Sequence, residues 1–184
     1  MRGAIAASMA LAIMSLAAGP SPAAAEGEGF LSSTAFILTG GGLIPQGIEL
    51  DPGTHAGLTA LYETTFGISV GAEGTVSHSN DPLHIRITAL ALQARISPQP
   101  DYHFAYIMVG LGAYSVTYHP GPGVQAPKSK ERPGGSFGFG FEIFQLGNVS
   151  LGGSAAYHGL IINRKDKVAF VAAAATVTWR PGRL

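Results

Sequence analysis

The sequence predicts an all-β chain folded as an eight-stranded antiparallel up-and-down transmembrane β-barrel, and three observations carry that expectation. Only 12% of the 184 residues are charged, beside 26 glycines and a mean hydropathy of +0.26, whereas an ordinary soluble domain carries about 25% charged residues. Eight stretches alternate apolar with small or polar side chains at a period of two. The joins between them are alternately short and long, as in barrels with tight turns at one membrane face and longer loops at the other.

Ahead of these stretches the chain opens with Met1-Arg2, the apolar run AIAASMALAIMSLAA, and a helix-breaking GPSPAAA in which Ala23 and Ala25 form a small-residue cleavage pattern. These three regions make residues 1–25 a secretory signal peptide, and the run is shorter than the ~20 residues of a spanning helix. The domain is then 26–184, starting at Glu26. Without Arg2 it holds ten basic and eleven acidic residues, and this near-balance gives no electrostatic case for nucleic acid as a partner. The absence of cysteine excludes a disulfide framework and a cysteine-held metal. No cofactor motif is evident either, because Gly110-x-Gly112 and Gly138-x-Gly140 lie within strands rather than ahead of a helix. No stretch of the domain reaches ~18 uninterrupted apolar residues. An exported chain this apolar therefore crosses lipid with strands closed into a barrel, the one alternative to helices that satisfies every backbone N–H and C=O without water.

Taken in order, the segments are roughly 32–43, 54–63, 66–78, 84–96, 102–118, 134–144, 148–161 and 167–179, most of them at or above the ~9 to 11 residues of a tilted spanning strand. The first, SSTAFILTGGGL, alternates least cleanly. The second ends in Tyr62-Glu63 before a turn at Thr64-Thr65. In the third, Phe66, Ile68, Val70, Ala72 and Val76 oppose Ser69, Gly71, Glu73, Thr75 and Ser77. The fourth sets Gln93 and Arg95 on one face and Arg86 on the other, lipid-facing parity, which suits a residue at the rim whose stem can snorkel. The fifth opposes Ile107, Val109 and Leu111 to Gly110 and Gly112, and the sixth opposes Phe137, Phe139 and Phe141 to Gly138, Gly140 and Glu142. In the seventh, Val149, Leu151, Ala155 and Tyr157 oppose Ser150, Ser154 and His158. The eighth contains AFVAAAATV, which helix propensity would also accept.

Short joins fall at 64–65, 97–101 and 145–147, and the longer ones are IPQGIELDPG, SNDPL, HPGPGVQAPKSKERP and NRKDK. The glycine-rich face is too poor in Lys and Glu to be a solvated exterior, so it is assigned to a narrow lumen. The phenylalanine row then faces acyl chains together with Ile107, Val109 and Leu111. Tyr62, Phe66 and Trp179 lie at short-turn ends, where an aromatic girdle belongs.

An ionisable group at membrane depth must face the interior and find a partner. Glu73, Arg95 and Glu142 form the expected lumenal charge network, with Arg95 meeting Glu73 or Glu142. Such a network is a gate or proton path, or more plainly a staple in a non-conducting barrel. Five histidines, His55, His78, His84, His119 and His158, map to the loop-side strand ends as rim histidines. Neighbouring strands ~4.8 Å apart would allow a metal or pH-sensing cluster among them, although amphipathic histidine also suits a water–lipid boundary. The basic loop residues Lys128, Lys130, Arg132, Arg164, Lys165 and Lys167 are candidate contacts for phosphate-bearing lipopolysaccharide.

The stretches VGLGAYSV (109–116), GGSFGFGFEI (134–143) and VSLGGSAAYH (149–158) resemble strand signatures of small eight-stranded bacterial outer-membrane β-barrel proteins, the OmpA/OmpX-like and OmpW-like group. That resemblance implies a Gram-negative-type outer membrane as the location, with its lipid and lipopolysaccharide as surroundings. It also implies handling by the outer-membrane assembly machinery, a monomeric barrel and no cofactor. Members usually end on an aromatic residue; here the chain runs past Trp179 to Leu184, so Trp179 stands in for it. The related lipid A deacylases use His-x-Ser followed by Asn, whereas His78-Ser79-Asn80 lacks the spacer. Strand neighbours point to opposite faces, so this pair cannot share a proton. The expected function is a structural or surface-binding barrel with a plugged, non-conducting lumen, not an enzyme. A narrow channel for small or apolar solutes is the alternative, ahead of a lipid A-modifying enzyme or a soluble exported ligand-binding barrel.

Overall fold

Each alternating stretch pairs with its neighbours in sequence, and the last pairs with the first. The computed structural model describes residues 34–46, 51–64, 67–80, 84–98, 105–119, 130–160 and 168–181. They form β1 (Thr34–Gln46), β2 (Gly53–Glu63), β3 (Ile68–Ser79), β4 (Arg86–Ile96), β5 (Ala105–Thr117), β6 (Lys130–Leu146), β7 (Val149–Leu160) and β8 (Ala169–Trp179). All neighbours run antiparallel and β8 closes on β1 from Phe36↔Trp179 to Gln46↔Ala169, giving one closed barrel in chain order. Closure removes the unpaired strand edge. The chain enters β1 and leaves β8 at the end that also carries the short β2–β3, β4–β5 and β6–β7 connections, called here the turn end; the opposite is the loop end. Residues 1–25 lie outside the described residues.

The period-two pattern fixes which side chains are covered. Leu111 is 72% exposed and Phe137 60%, while Arg95 at 6% and Arg180 at 3% are buried. The outer surface is thus mainly aliphatic and aromatic, and the interior holds the charged and small polar side chains together with buried apolar clusters. A one-residue slip in any pairing would exchange the two.

Two strands run well past the predicted limits. β1 runs on past Leu43 to Gln46, because β8 goes on supplying backbone partners as far as Gln46↔Ala169. β6 starts at Lys130 inside the predicted loop, where its ladder with β5 continues to Val116↔Lys130. Among the described residues the β6–β7 ladder begins at Gly134↔Leu160, one position past Pro133, which has no N–H to donate. The alanine run of β8 is extended rather than helical, held by β7 and β1 together; tertiary pairing overrides a weak local preference. At the turn end, Gly147 takes φ +59° in the tight turn to β7, a conformation open to glycine.

One irregularity bears on the interior. The β6–β7 register shifts between Glu142 and Phe144, pairing Glu142 with Gly152 and Phe144 with Leu151. Ile143 is the extra residue of a β-bulge, so Ile143 and Phe144 both stay exposed while Glu142 faces inward.

Candidate functional site

The lumen is filled by side chains in layers, and the layer at the turn end is built around Arg180. This residue lies one position past β8 and continues its inward parity. Its backbone N–H donates to the Asn148 carbonyl at 2.8 Å, which ties it to the β6–β7 turn. Its Nε donates to Glu63 at 2.9 and 3.1 Å, while its two terminal nitrogens donate to Glu142 at 2.9 and 2.8 Å. Ser150 Oγ accepts a further bond at 3.1 Å. Burial pulls the Arg180 guanidinium down, but Glu142 and Glu63 outweigh it and hold the group above its ordinary value, so it is a fixed cation. Ala35, Ile37 and Leu61 pack as a small apolar cluster inside the barrel.

Arg95, the expected partner of Glu142, is used differently. Its guanidinium lies over the Tyr106 ring, 4.0 Å from the centroid, a cation–π arrangement. Glu73 and Glu142 both act on it through space, but the close ion pairs among the described residues are those of Arg180 with Glu63 and Glu142. The cation across from Glu142 is therefore Arg180. Gly140 makes the Tyr106–Arg95 stack fit: a Cβ there would run into the Tyr106 ring. Beyond this stack, Thr39, His55, Glu73, Gln93, Arg95, Met108, Ser136, Ser154 and His158 line a cavity of about 20 Å³.

The third layer holds two of the five expected rim histidines. His55 Nδ1 lies 2.8 Å from Ser77 Oγ, and Tyr114 OH lies 3.1 Å from His158 Nδ1. The His55 and His158 ring centroids are 5.6 Å apart, and His158 stacks on Phe170 at 4.8 Å. Above them Leu43, Ile87, Val116, Leu160 and Phe170 close the loop end with apolar side chains. The other three, His78, His84 and His119, are exposed. The set is thus divided between interior and surface rather than gathered at the rim, since His55 and His158 sit on the inward parity. No group of three or more His, Cys, Asp or Glu side chains is arranged to hold a metal among the described residues. His78 faces out while Ser79 is buried and donates to the Asp51 carbonyl, so the two lie on opposite faces of β3.

On the outer surface, Phe137, Phe139, Phe141, Ile107, Val109 and Leu111 are all exposed. Tyr62 and Trp179 are exposed at the turn end, where Trp179 also stacks on Phe36 at 5.6 Å; Phe66 lies outside the described residues. Arg86 is exposed at the loop-end start of β4. Of the basic loop set, Lys128, Arg164, Lys165 and Lys167 lie outside the described residues. Lys130 is placed by its backbone pairing with Val116. Arg132 is half-buried on the inward parity of β6, beside Tyr114.

Sequence reasoning missed Arg180, Tyr106, Tyr114 and Ser77. Parity was the available signal for Arg180, since the even-numbered inward row of β8 runs 170, 172, 174, 176, 178 and on to 180. Nothing in the sequence pairs it with Glu63, which requires knowing that β8 closes beside β1.

No protein-family model matches the chain, and no curated protein matches it in sequence. Solved structures do. Neisserial surface protein A superposes with a TM-score of 0.63 at 12% identity, over 81% of this chain and 97% of that one. The N-terminal β-barrel domain of Pseudomonas aeruginosa OprF gives 0.52 at 12% identity, over 80% and 98%. Ail, the attachment invasion locus protein of Yersinia pestis, gives 0.50 at 14% identity, over 80% and 99%. These are small eight-stranded outer-membrane β-barrels, and this chain shares their fold.

Proposed function

We propose that this chain is an outer-membrane β-barrel whose role is structural or surface-binding, with a plugged lumen that conducts no solute. One observation supports the reading above all: the barrel is inverted, with Leu, Ile, Val and Phe exposed around its wall and Glu73, Arg95 and Arg180 buried inside. Such a surface is stable only against lipid, and the charges it hides are those that a membrane protein keeps off its lipid face. The exposed tyrosine and tryptophan at the turn end suit the headgroup level of the periplasmic side. The loop end then faces outward, and the basic residues of the β5–β6 and β7–β8 connections are offered to lipopolysaccharide phosphate. The lumen admits little beyond water, since its polar cavity is about 20 Å³ and lies between the Arg180 cluster and the apolar cap. Assembly machinery of the outer membrane, a monomeric state and the absence of catalysis complete the proposal.

The first test is detergent extraction followed by electrophoresis with and without boiling. The folded barrel is expected to migrate faster than the boiled form, and a protein that stays soluble without detergent would defeat the reading. Planar-bilayer recording is expected to show no steady conductance; reproducible single-channel steps would favour a narrow channel instead.

A further inference from the structure

The cavity within the plug is polar, and part of its wall is unsatisfied. Thr39 Oγ1, Gln93 Oε1 and Arg95 Nε are buried, line it, and have no hydrogen-bond partner in the barrel. Buried polar atoms without partners are costly, so three on one small cavity ask for an occupant. Their chemistry narrows the choice. Arg95 Nε only donates, Gln93 Oε1 only accepts, and the threonine hydroxyl does either. An anion would suit Arg95 but meet the Glu73 carboxylate on the same wall, and a cation would suit Glu73 but meet Arg95. A neutral molecule that both donates and accepts satisfies all three, and a volume of about 20 Å³ exceeds the ~10 to 15 Å³ that a water requires.

The histidines extend the argument. His55 and His158 line the same cavity, and each has its Nδ1 engaged, by Ser77 and Tyr114 respectively. Their Nε2 atoms have no hydrogen bond among the described residues and remain for a cavity occupant. We infer that the cavity is a water-binding site, whose water accepts from Arg95 Nε, donates to Gln93 Oε1, bonds the Thr39 hydroxyl and gives its remaining hydrogen bond to the His55–His158 pair, so that these side chains form one unit inside the plug. This goes beyond a plugged lumen, which requires only that the interior be full; here part of the filling is solvent with fixed protein partners.

An isosteric substitution separates a wet cavity from a dry one. In a dry cavity, Thr39→Val removes an unsatisfied hydroxyl and raises the urea midpoint of the refolded barrel. In a wet one it takes a ligand from the bound water, and the unfolding equilibrium constant is expected to rise about tenfold. The second measurement is water-to-protein NOE spectroscopy on the unmodified barrel in micelles, with cross-peaks expected from long-lived water to Thr39 and His158, weakened in the variant. A midpoint unchanged or raised in Thr39→Val, or no water cross-peak at either side chain, overturns the inference. Should the variant fail to refold, the spectrum of the unmodified protein decides alone.

Discussion

Arg180 reaches into the lumen from beyond the last strand, and its planar fork is what allows one side chain to serve two carboxylates. The Glu142 pair is bidentate and the Glu63 contact is made through Nε, a division that a lysine ammonium could not reproduce. Removing one partner of a buried pair leaves the other charge uncompensated, typically at about 3 to 5 kcal/mol. Arg180→Ala is therefore expected to lower the unfolding free energy of the lipid-refolded barrel by about that amount in a urea titration. Adding Glu63→Gln and Glu142→Gln should recover much of the loss. A fully additive triple variant would show that the three side chains do not act as a unit. At this scale the sequence was half legible. Glu142 declared itself as a charge on a glycine face, but its partner was hidden in what read as a tail. Two residues on strands that are not neighbours meet according to barrel diameter and stagger, and no local pattern encodes those.

The β6–β7 hairpin shows what one inserted residue does to an element. Because Ile143 bulges out of the ladder, Phe144 faces outward as Phe141 does, while Glu142 between them keeps its inward aim. Deleting Ile143 should remove the bulge without changing the face of any neighbour. Deleting Phe139 should shift the parity of the β6 segment on one side of it and press apolar bulk into the lumen. The expected outcome is that the barrel without Ile143 still refolds, with its heat-modifiable gel shift intact, and the barrel without Phe139 does not. If both refold equally, register in this hairpin is not set by the apolar pattern. Elements were the most legible level of the sequence, since period-two alternation and turn spacing place all eight strands. The misjudged limits, the Ile44–Gln46 end of β1 and the Lys130 start of β6, fall where a partner strand extends the ladder past the residues that favour it.

For the whole molecule, the inversion of inside and outside was readable from composition, because few charges and many exposed-parity aliphatics fit a barrel wall that faces lipid. What the sequence could not order was the interior, where polar side chains from all eight strands share three layers. The inversion makes a direct prediction about solvent. Leu111→Arg, midway along β5 and 72% exposed, is expected to cost about 2 to 4 kcal/mol on folding into bilayers, against about 0 to 1 for Tyr62→Arg near the membrane edge. Equal costs at the two positions would contradict a lipid-facing wall. The Arg180 cluster, finally, has a consequence in time. Glu63 sits at the end of β2 and Glu142 near the end of β6, and one guanidinium can hold both only after β8 has docked between β7 and β1. An interaction that needs the finished circle forms late, so it contributes to the native state without contributing to the transition state that precedes it. Arg180→Ala should then speed unfolding in a denaturant jump and leave the refolding rate nearly unchanged, which makes this residue a brake on opening rather than a guide to closing.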